Sequence, residues 1–474
     1  MIIPNFTDGF FNINSKYGFL PMEDPIEKLP NQYNRLQLLL DDMCIVKDNG
    51  EGGLILDENL FSIECSNLPD YTELIINENN IELIAALYRG YCFLASAYLL
   101  QPSYKNFVKT GDYGVARSSL PANISQPLIK TAIKLGVFPF LEYSYGYSLG
   151  NYVRIDKTRG LEWDNLKMAN KFSGMSDESG FIMVHVDINR HTAGMFGLIN
   201  NLVENVYNDN NDNNDNNINI DKVVNDLHLL VKVLKDINLS RKQMWTASRS
   251  KHYNDFRVFI MGIKGNTDIF PNGVIYEPEV EPRYYRGQSG SQDTIIPFLD
   301  TVFGIDKYYP NNILTEYLIN MRSYRPKPFR DLLEWCSSNL NDFSSRLLKL
   351  QNISVHTELF KIYREIYRFR NGHWQFVQMY IMENTKYPTA TGGTPITTWI
   401  PNQILATLNA IQPIIDDADK LTKTINDNKL CEKYLSQYNS MRECLANQVT
   451  ELNKEQYNTA LVYELNAKYN LNDV

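Results

Sequence analysis

Histidine and cysteine are both scarce in this chain, six of each in 474 residues. None of the cysteines, Cys44, Cys65, Cys92, Cys336, Cys431 and Cys444, sits in a C-x-x-C pair, which argues against a structural zinc site of the usual spacing. The histidines form no H-E-x-x-H motif, and there is neither a G-x-S-x-G nucleophile elbow nor a P-loop. Metalloproteases, serine hydrolases and P-loop nucleotide enzymes therefore find no support. The segment GQSGSQ at 287–292 resembles a phosphate loop only loosely, because it lacks the following Lys and the preceding apolar strand. Basic charge is also in deficit: 46 Lys and Arg face 55 Asp and Glu, a net charge of −9. Nucleic acids and anionic membranes need a basic surface, so neither is an expected partner. The amino terminus, MIIPNFTDGFF, has no basic n-region and no long apolar h-region, and no signal peptide is expected. The thiols then read as reduced, in a cytoplasmic protein.

What is present is an ordinary globular composition, 43% hydrophobic and 21% charged. At roughly 100–200 residues per domain, the length implies two to four domains, or one large domain with a smaller one attached. The most apolar stretch, 81–100, carries Glu82 and Arg89. A membrane-spanning helix of about 20 residues rarely bears both, so a buried helix is predicted, ended by Pro102. A second helix is predicted over 120–136, capped by Asn123 or Ser125 and stopped by Gly136. Residues 177–207 read as one long helix, apolar at Phe181, Val184, Ile188, Met195 and Leu198. The tract NDNNDNNDNN at 208–217 has no apolar residue to bury and is expected to be a disordered surface insertion. Helical patterns resume at 220–237, 329–350, 356–384, 402–421 and 428–469, with loops at 262–282, 286–293 and 389–395. Strand signals are few, so a mostly α fold is expected.

Two residues stand out chemically. His373 lies mid-helix in IYRFRNGHWQF, on a face with Leu359, Ile362, Ile366, Phe369, Phe376, Val377 and Tyr380. Gly372 precedes it, at about 1 kcal/mol relative to Ala, a cost tolerated where something large must approach closely. Arg370 is three residues earlier and reaches the same side. An imidazole in an apolar wall beside a guanidinium suits a haem, the neutral nitrogen on iron and the Arg on a propionate. A core histidine with a hydrogen-bond partner is the competing reading. Arg257, in HYNDFRVFIMG, sits among aromatic and aliphatic neighbours. Desolvated, it needs an anion: a substrate carboxylate, or an internal Asp or Glu.

The segments LPANISQPLIKTAIKLGVFPFLEY, SGFIMVHV, FRVFIMGIKGN, GVIYE, GQSGSQDTIIPFLDTVFGI, RSYRPKPFRDLLEW, FRNGHWQFVQMYI and TGGT, spread from about Leu120 to Thr394, occur in the order seen in indoleamine 2,3-dioxygenases. These are haem enzymes that open the pyrrole ring of tryptophan, and the chain resembles them. The resemblance implies an all-α fold in which a smaller, mainly helical N-terminal domain, 1–172, covers the distal pocket of a large helical haem-binding domain, 173–474. It implies haem b, with His373 as the iron ligand and Arg370 pairing a propionate. Arg257 would hold the substrate carboxylate, and Thr391 would lie on a mobile loop near the substrate ammonium. Phe181 would pack on the indole, with Tyr253 a second aromatic wall residue and Tyr147 facing the pocket. Ser289 and Gly290 would line the distal face of the haem.

The chain also departs from the family. His185 stands where animal members carry a small Ser, and His252 where they carry an aromatic ring. One extra residue around EYSYGYSLGNY leaves Tyr143 and Ser144 as alternatives for a pocket position. Phe181 and His185 are four apart and share a helix face. A desolvated, neutral His185 could accept a hydrogen bond from the indole N–H, which makes it the candidate catalytic residue. The alternative is a His packed in a helix interface and bonded to a backbone carbonyl. The implied activity is conversion of L-tryptophan and dioxygen to N-formylkynurenine by a monomer whose iron is kept ferrous by an electron donor. A haem-binding sensor or interaction protein with little turnover is the second class, and a cofactor-free helical scaffold the third.

Overall fold

The apolar stretch folds as part of a 30-residue helix, Ile81–Thr110. The Asn80 side chain starts it by accepting from the Glu82 and Leu83 N–H groups, and Gly111, at φ 83°, ends it. By length and composition this helix could cross a bilayer, but its most apolar window is buried inside the protein. Glu82 stays at the exposed end. Arg89 is buried and distributes its charge over Asn170 Oδ1 (2.7 Å), Gly150 O (2.7 Å) and Ile26 O (2.6 Å). Pro102 does not end the helix, contrary to expectation. A proline inside a helix frees the carbonyl four residues back, here that of Tyr98. The Arg117 guanidinium donates to this carbonyl while lying 4.5 Å from the Tyr98 ring centroid, so the break is repaired from outside the helix.

The structure, a computed structural model, describes all residues except 208–217, 385–386, 388, 394–395, 426–427 and 455–474. The Asn/Asp tract and the end of the 428–469 helix expected from sequence thus lie outside the described residues. Helices dominate, and the strands are two- and three-residue pairings, which bears out the all-α expectation. The 262–282 loop contains one of them: Val274–Tyr276 runs parallel to Ser119–Leu120 and antiparallel to Pro282–Arg283.

Several boundaries differ from the sequence reading, each for a tertiary reason. The Ala122–Leu135 helix stops at Gly136 as expected, at φ 64°, but has no side-chain cap. Asn123 instead donates to the Cys65 and Leu68 carbonyls, and Ser125 to the Glu277 carbonyl. The expected single helix over 177–207 is two, Ser176–Asn189 and Thr192–Val206. The N-terminal chain wedges into the break. Thr192 Oγ1 donates to Asn189 O and accepts from Phe19 N (2.8 Å), and Gly18 is so close that a Cβ there would fall 2.3 Å from Thr192 Oγ1. Likewise 329–350 divides into Lys327–Asn339 and Phe343–Lys349, with the intervening Asn341 and Asp342 held by Lys307 and Tyr207.

The Ile353–Phe376 helix is packed between Ile220–Lys242 and Ile396–Ile425, and Asn428–Lys454 lies on the latter. Ser176–Asn189 packs across Ile220–Lys242. This brings the helix that carries His373 and the helix that carries His185 to the same part of one continuous core.

Candidate active site between His185 and His373

Asn352 caps the Ile353–Phe376 helix by accepting from Ser354 N (2.9 Å) and Val355 N (3.3 Å). After Phe376 the chain continues through a π-helical turn, Val377–Met382. Leu359, Ile362 and Ile366 are buried on its inner face, as are Gly372 and Trp374. His373 breaks the pattern by keeping free surface. The surrounding protein nevertheless desolvates the ring and, with repulsion from His185 and Arg241, pushes its pKa down to about 4. Neither ring nitrogen has a hydrogen-bond partner among the described residues. A core histidine satisfied by a partner would look different.

The close approach signalled by Gly372 is real. A Cβ there would lie 2.0 Å from Arg241 Nη1, so the glycine makes room for a guanidinium beside His373. Arg370, one turn before His373, donates to Asp300, to Thr407 Oγ1 (2.6 Å) and to Tyr309 Oη (3.3 Å). Burial works against its charge, but Asp300 and Tyr309 outweigh that and hold its pKa above the usual range.

Phe181 and His185 are the half-buried members of an otherwise buried stretch of the Ser176–Asn189 helix. His185 Nδ1 lies 3.0 Å from Phe181 O. A carbonyl only accepts, so Nδ1 carries the proton, and in the neutral ring Nε2 is left with a lone pair. Burial favours that neutral form, lowering the pKa although Asp293 pulls the other way. The Tyr143 ring meets the His185 ring edge-on at 5.7 Å, and its hydroxyl donates to Asp293 Oδ2 (2.8 Å). Asn189 donates to the same oxygen (2.8 Å) and to His185 O (2.9 Å). Tyr143 therefore stands beside His185, and the Ser144 backbone N–H donates to Glu142.

An aromatic wall continues from Phe181 to Tyr253 (5.0 Å), Phe256 (5.7 Å) and Tyr380 (5.9 Å). Tyr147 lies deeper, fully buried on Phe93 and Phe172 with its hydroxyl on Glu178 (3.3 Å). His252 is partly exposed and paired with Asp255 (3.0 Å). Arg257 is 0% exposed and has no carboxylate partner among the described residues. It donates instead to Tyr113 Oη (2.8 Å) and to Thr389 O (2.7 Å), and its Nε is unpaired.

The loop that carries Thr391 is docked on this site. Thr391 O accepts from Gly262 N (2.9 Å), and Thr391 Oγ1 donates to Gln288 O (2.7 Å). Gly392 O accepts from Tyr317 and Arg286, and a Cβ on Gly392 would stand 3.5 Å from Ser289 Cβ. Ser289 is half-buried, and Gly290 is exposed with no atom within 4 Å of its Cβ position. Asp293, Tyr113, Asp300 and Arg241 escaped the sequence reading. Only Arg241 left a trace, in Gly372.

The family model for indoleamine 2,3-dioxygenase matches residues 8–398. The mouse protein named indoleamine 2,3-dioxygenase 1 is 25% identical over 389 residues, covering 80% of this chain and 86% of its own. Indoleamine 2,3-dioxygenase of Saccharomyces cerevisiae is 24% identical over 387 residues, covering 78% and 79% respectively. An indoleamine 2,3-dioxygenase of Aspergillus nanangensis is 25% identical over 369 residues, covering 73% and 81%. Matched by the family model over most of its length, the chain belongs to the indoleamine 2,3-dioxygenase family.

Proposed function

We propose that this protein is a haem-dependent dioxygenase that opens the indole ring of L-tryptophan to N-formylkynurenine. The observation that carries the reading is His373: a neutral imidazole with both nitrogens unpartnered among the described residues, near enough to a second neutral imidazole, His185, to feel its charge. That donor set fits haem b, with His373 on the iron and Arg370, held in place by Asp300, at an acid side chain of the porphyrin. When bound, the haem supplies the ferrous iron needed to add dioxygen across the indole C2–C3 bond.

The protein supplies orientation and exclusion of water. Phe181 and Tyr253 offer the indole an apolar wall. His185 Nε2 is an acceptor for the indole N–H, held in that tautomer by the Phe181 carbonyl. Arg257 would exchange the Thr389 carbonyl for the substrate carboxylate, a charge-assisted and bidentate replacement. That exchange couples substrate entry to the Thr389–Thr391 loop, which carries Thr391 past Ser289 and Gly290. We take residues 1–172 as the cover of the distal side and the working form as a cytoplasmic monomer served by a separate electron donor. One observation favours a haem-binding sensor instead: Arg257 is already sealed by Tyr113 and Thr389, a stable closed state without substrate.

Haem-loaded, reduced protein is expected to convert L-tryptophan and dioxygen to N-formylkynurenine, read by product absorbance. Arg257→Leu should raise KM for L-tryptophan by about tenfold or more, while free indole, lacking a carboxylate, binds as before. A Soret band without product would establish the sensor. Equal weakening of both ligands would return Arg257 to a structural role.

A further inference from the structure

Buried arginines in this protein are almost all spoken for. Arg89 has three acceptors, Arg370 has Asp300, and Arg325 donates to the Met321, Ser291 and Asp293 carbonyls. Arg241 differs. It is 6% exposed, and its single hydrogen bond is from Nε to Asn238 Oδ1 at 3.3 Å. Its terminal Nη1 and Nη2 have no acceptor among the described residues. No carboxylate among the described residues offsets its charge, and burial alone lowers its pKa, to about 10.

The guanidinium is nevertheless held in a built cradle. It lies flat on Gly372, where a Cβ would fall 2.0 Å from Nη1, 2.2 Å from Cζ and 2.3 Å from Nη2. The Phe376 and Phe369 ring centroids lie 5.3 and 5.9 Å from Cζ. Asn238 is itself fixed by donating to the Glu365 carbonyl (3.1 Å). At about 100° per residue, Gly372 and Arg370 lie on opposite sides of His373, so Arg241 and Arg370 reach it from opposite flanks. An unpaired charge is costly to bury, and this one is held by its cradle close enough to His373 to bear on that ring's charge.

We propose that Arg241 is an anion anchor beside His373, pairing its terminal N–H groups with a carboxylate. Two sources share that chemistry: an acid side chain of the bound porphyrin, which rests on the haem reading above, or a free carboxylate in the same place. Soret titration of the full-length apoprotein with protohaem and with protohaem dimethyl ester separates them. Wild type should prefer the free acid, and Arg241→Met should reduce that preference by about tenfold, with Arg241→Lys retaining part of it. If the carboxylate is free instead, acetate should raise the thermal midpoint of the wild-type apoprotein and leave that of Arg241→Met unchanged. Equal weakening of acid and ester in Arg241→Met, together with no Arg241-dependent acetate effect, would overturn the anchor and leave a packing residue. A Soret band left unshifted by the apoprotein with both protohaem and its ester would refute the haem reading itself, while the acetate measurement still decides whether Arg241 takes an anion.

Discussion

His185 shows how one backbone contact can assign chemistry to a side chain. The Phe181 carbonyl fixes the proton on Nδ1, and burial keeps the ring neutral, so Nε2 is an acceptor at neutral pH. A tryptophan methylated at the indole nitrogen has no donor to offer and should be a poor substrate. His185→Ser should narrow the kcat/KM gap between L-tryptophan and its methylated form. The sign with pH follows from the direction of the shift. His185 has a pKa below its ordinary 6.5, so acceptance is intact through neutral pH and fails as the ring protonates on the acid side. Wild type should therefore lose kcat/KM in acid below about 6.5, and the Ser variant should lack that limb. Identical discrimination and identical pH profiles in the two proteins would remove His185 from the reaction.

The elements owe their ends to distant residues as often as to local signals. Gly111, Gly136 and Asn352 act as local caps should. Pro102 does not stop its helix, because Arg117 satisfies the carbonyl that the proline frees. Arg117→Met should therefore destabilise the protein by about 1–3 kcal/mol, the cost of leaving a partly buried carbonyl unpaired. Pro102→Ala restores an N–H to the helix, and in the Arg117→Met background it should recover much of the loss. Additive effects of the two substitutions in urea unfolding would disprove the pairing of Arg117 with the Tyr98 carbonyl. The helix break at 190–191 has the same character. The 177–207 pattern is continuous in sequence, and what interrupts it is the Gly18–Phe19 segment at Thr192.

At the scale of the molecule, a chain of net charge −9 buries several arginines without an ion pair. Arg241, Arg257, Arg286 and Arg325 are all buried without an ion pair among the described residues. Glu142, like Glu178, is a buried carboxyl without an ion pair among the described residues. Buried and coordinated by the Ser144, Tyr145 and Gly146 N–H groups, it has its pKa pushed up to about 7 by desolvation, against the pull of those three bonds. A carboxyl with a raised folded-state pKa stabilises fully below its unfolded value of 4.5, and that contribution is lost as pH rises through about 7. Glu142→Gln is neutral throughout. Relative to wild type it should gain stability between about pH 5 and pH 8, by on the order of 3 kcal/mol at most. Urea unfolding at the two pH values measures this; a constant difference would show that Glu142 is ionised in the folded state across the range.

The sequence by itself determined the helical class, through apolar periodicity and sparse strand signals, and it exposed His373 through Gly372 and Arg370 on the same helix. Those are local patterns, set by residues within a few turns of one another. Tertiary structure alone decided that Tyr143 stands beside His185, because a one-residue ambiguity is resolved only by the packing of its π-helical turn against Gln292 and Asp293. It also decided which anions the interior arginines lack. An ion pair joins residues far apart in the chain, and whether Arg257 meets an Asp or a Tyr depends on how the helices are stacked. The sequence left a substrate carboxylate or an internal Asp or Glu open for Arg257, and the fold gave it Tyr113 and a loop carbonyl. Gly372 announced a close neighbour without naming it, because a missing Cβ records only that space was needed, and the helix stacking filled that space with Arg241.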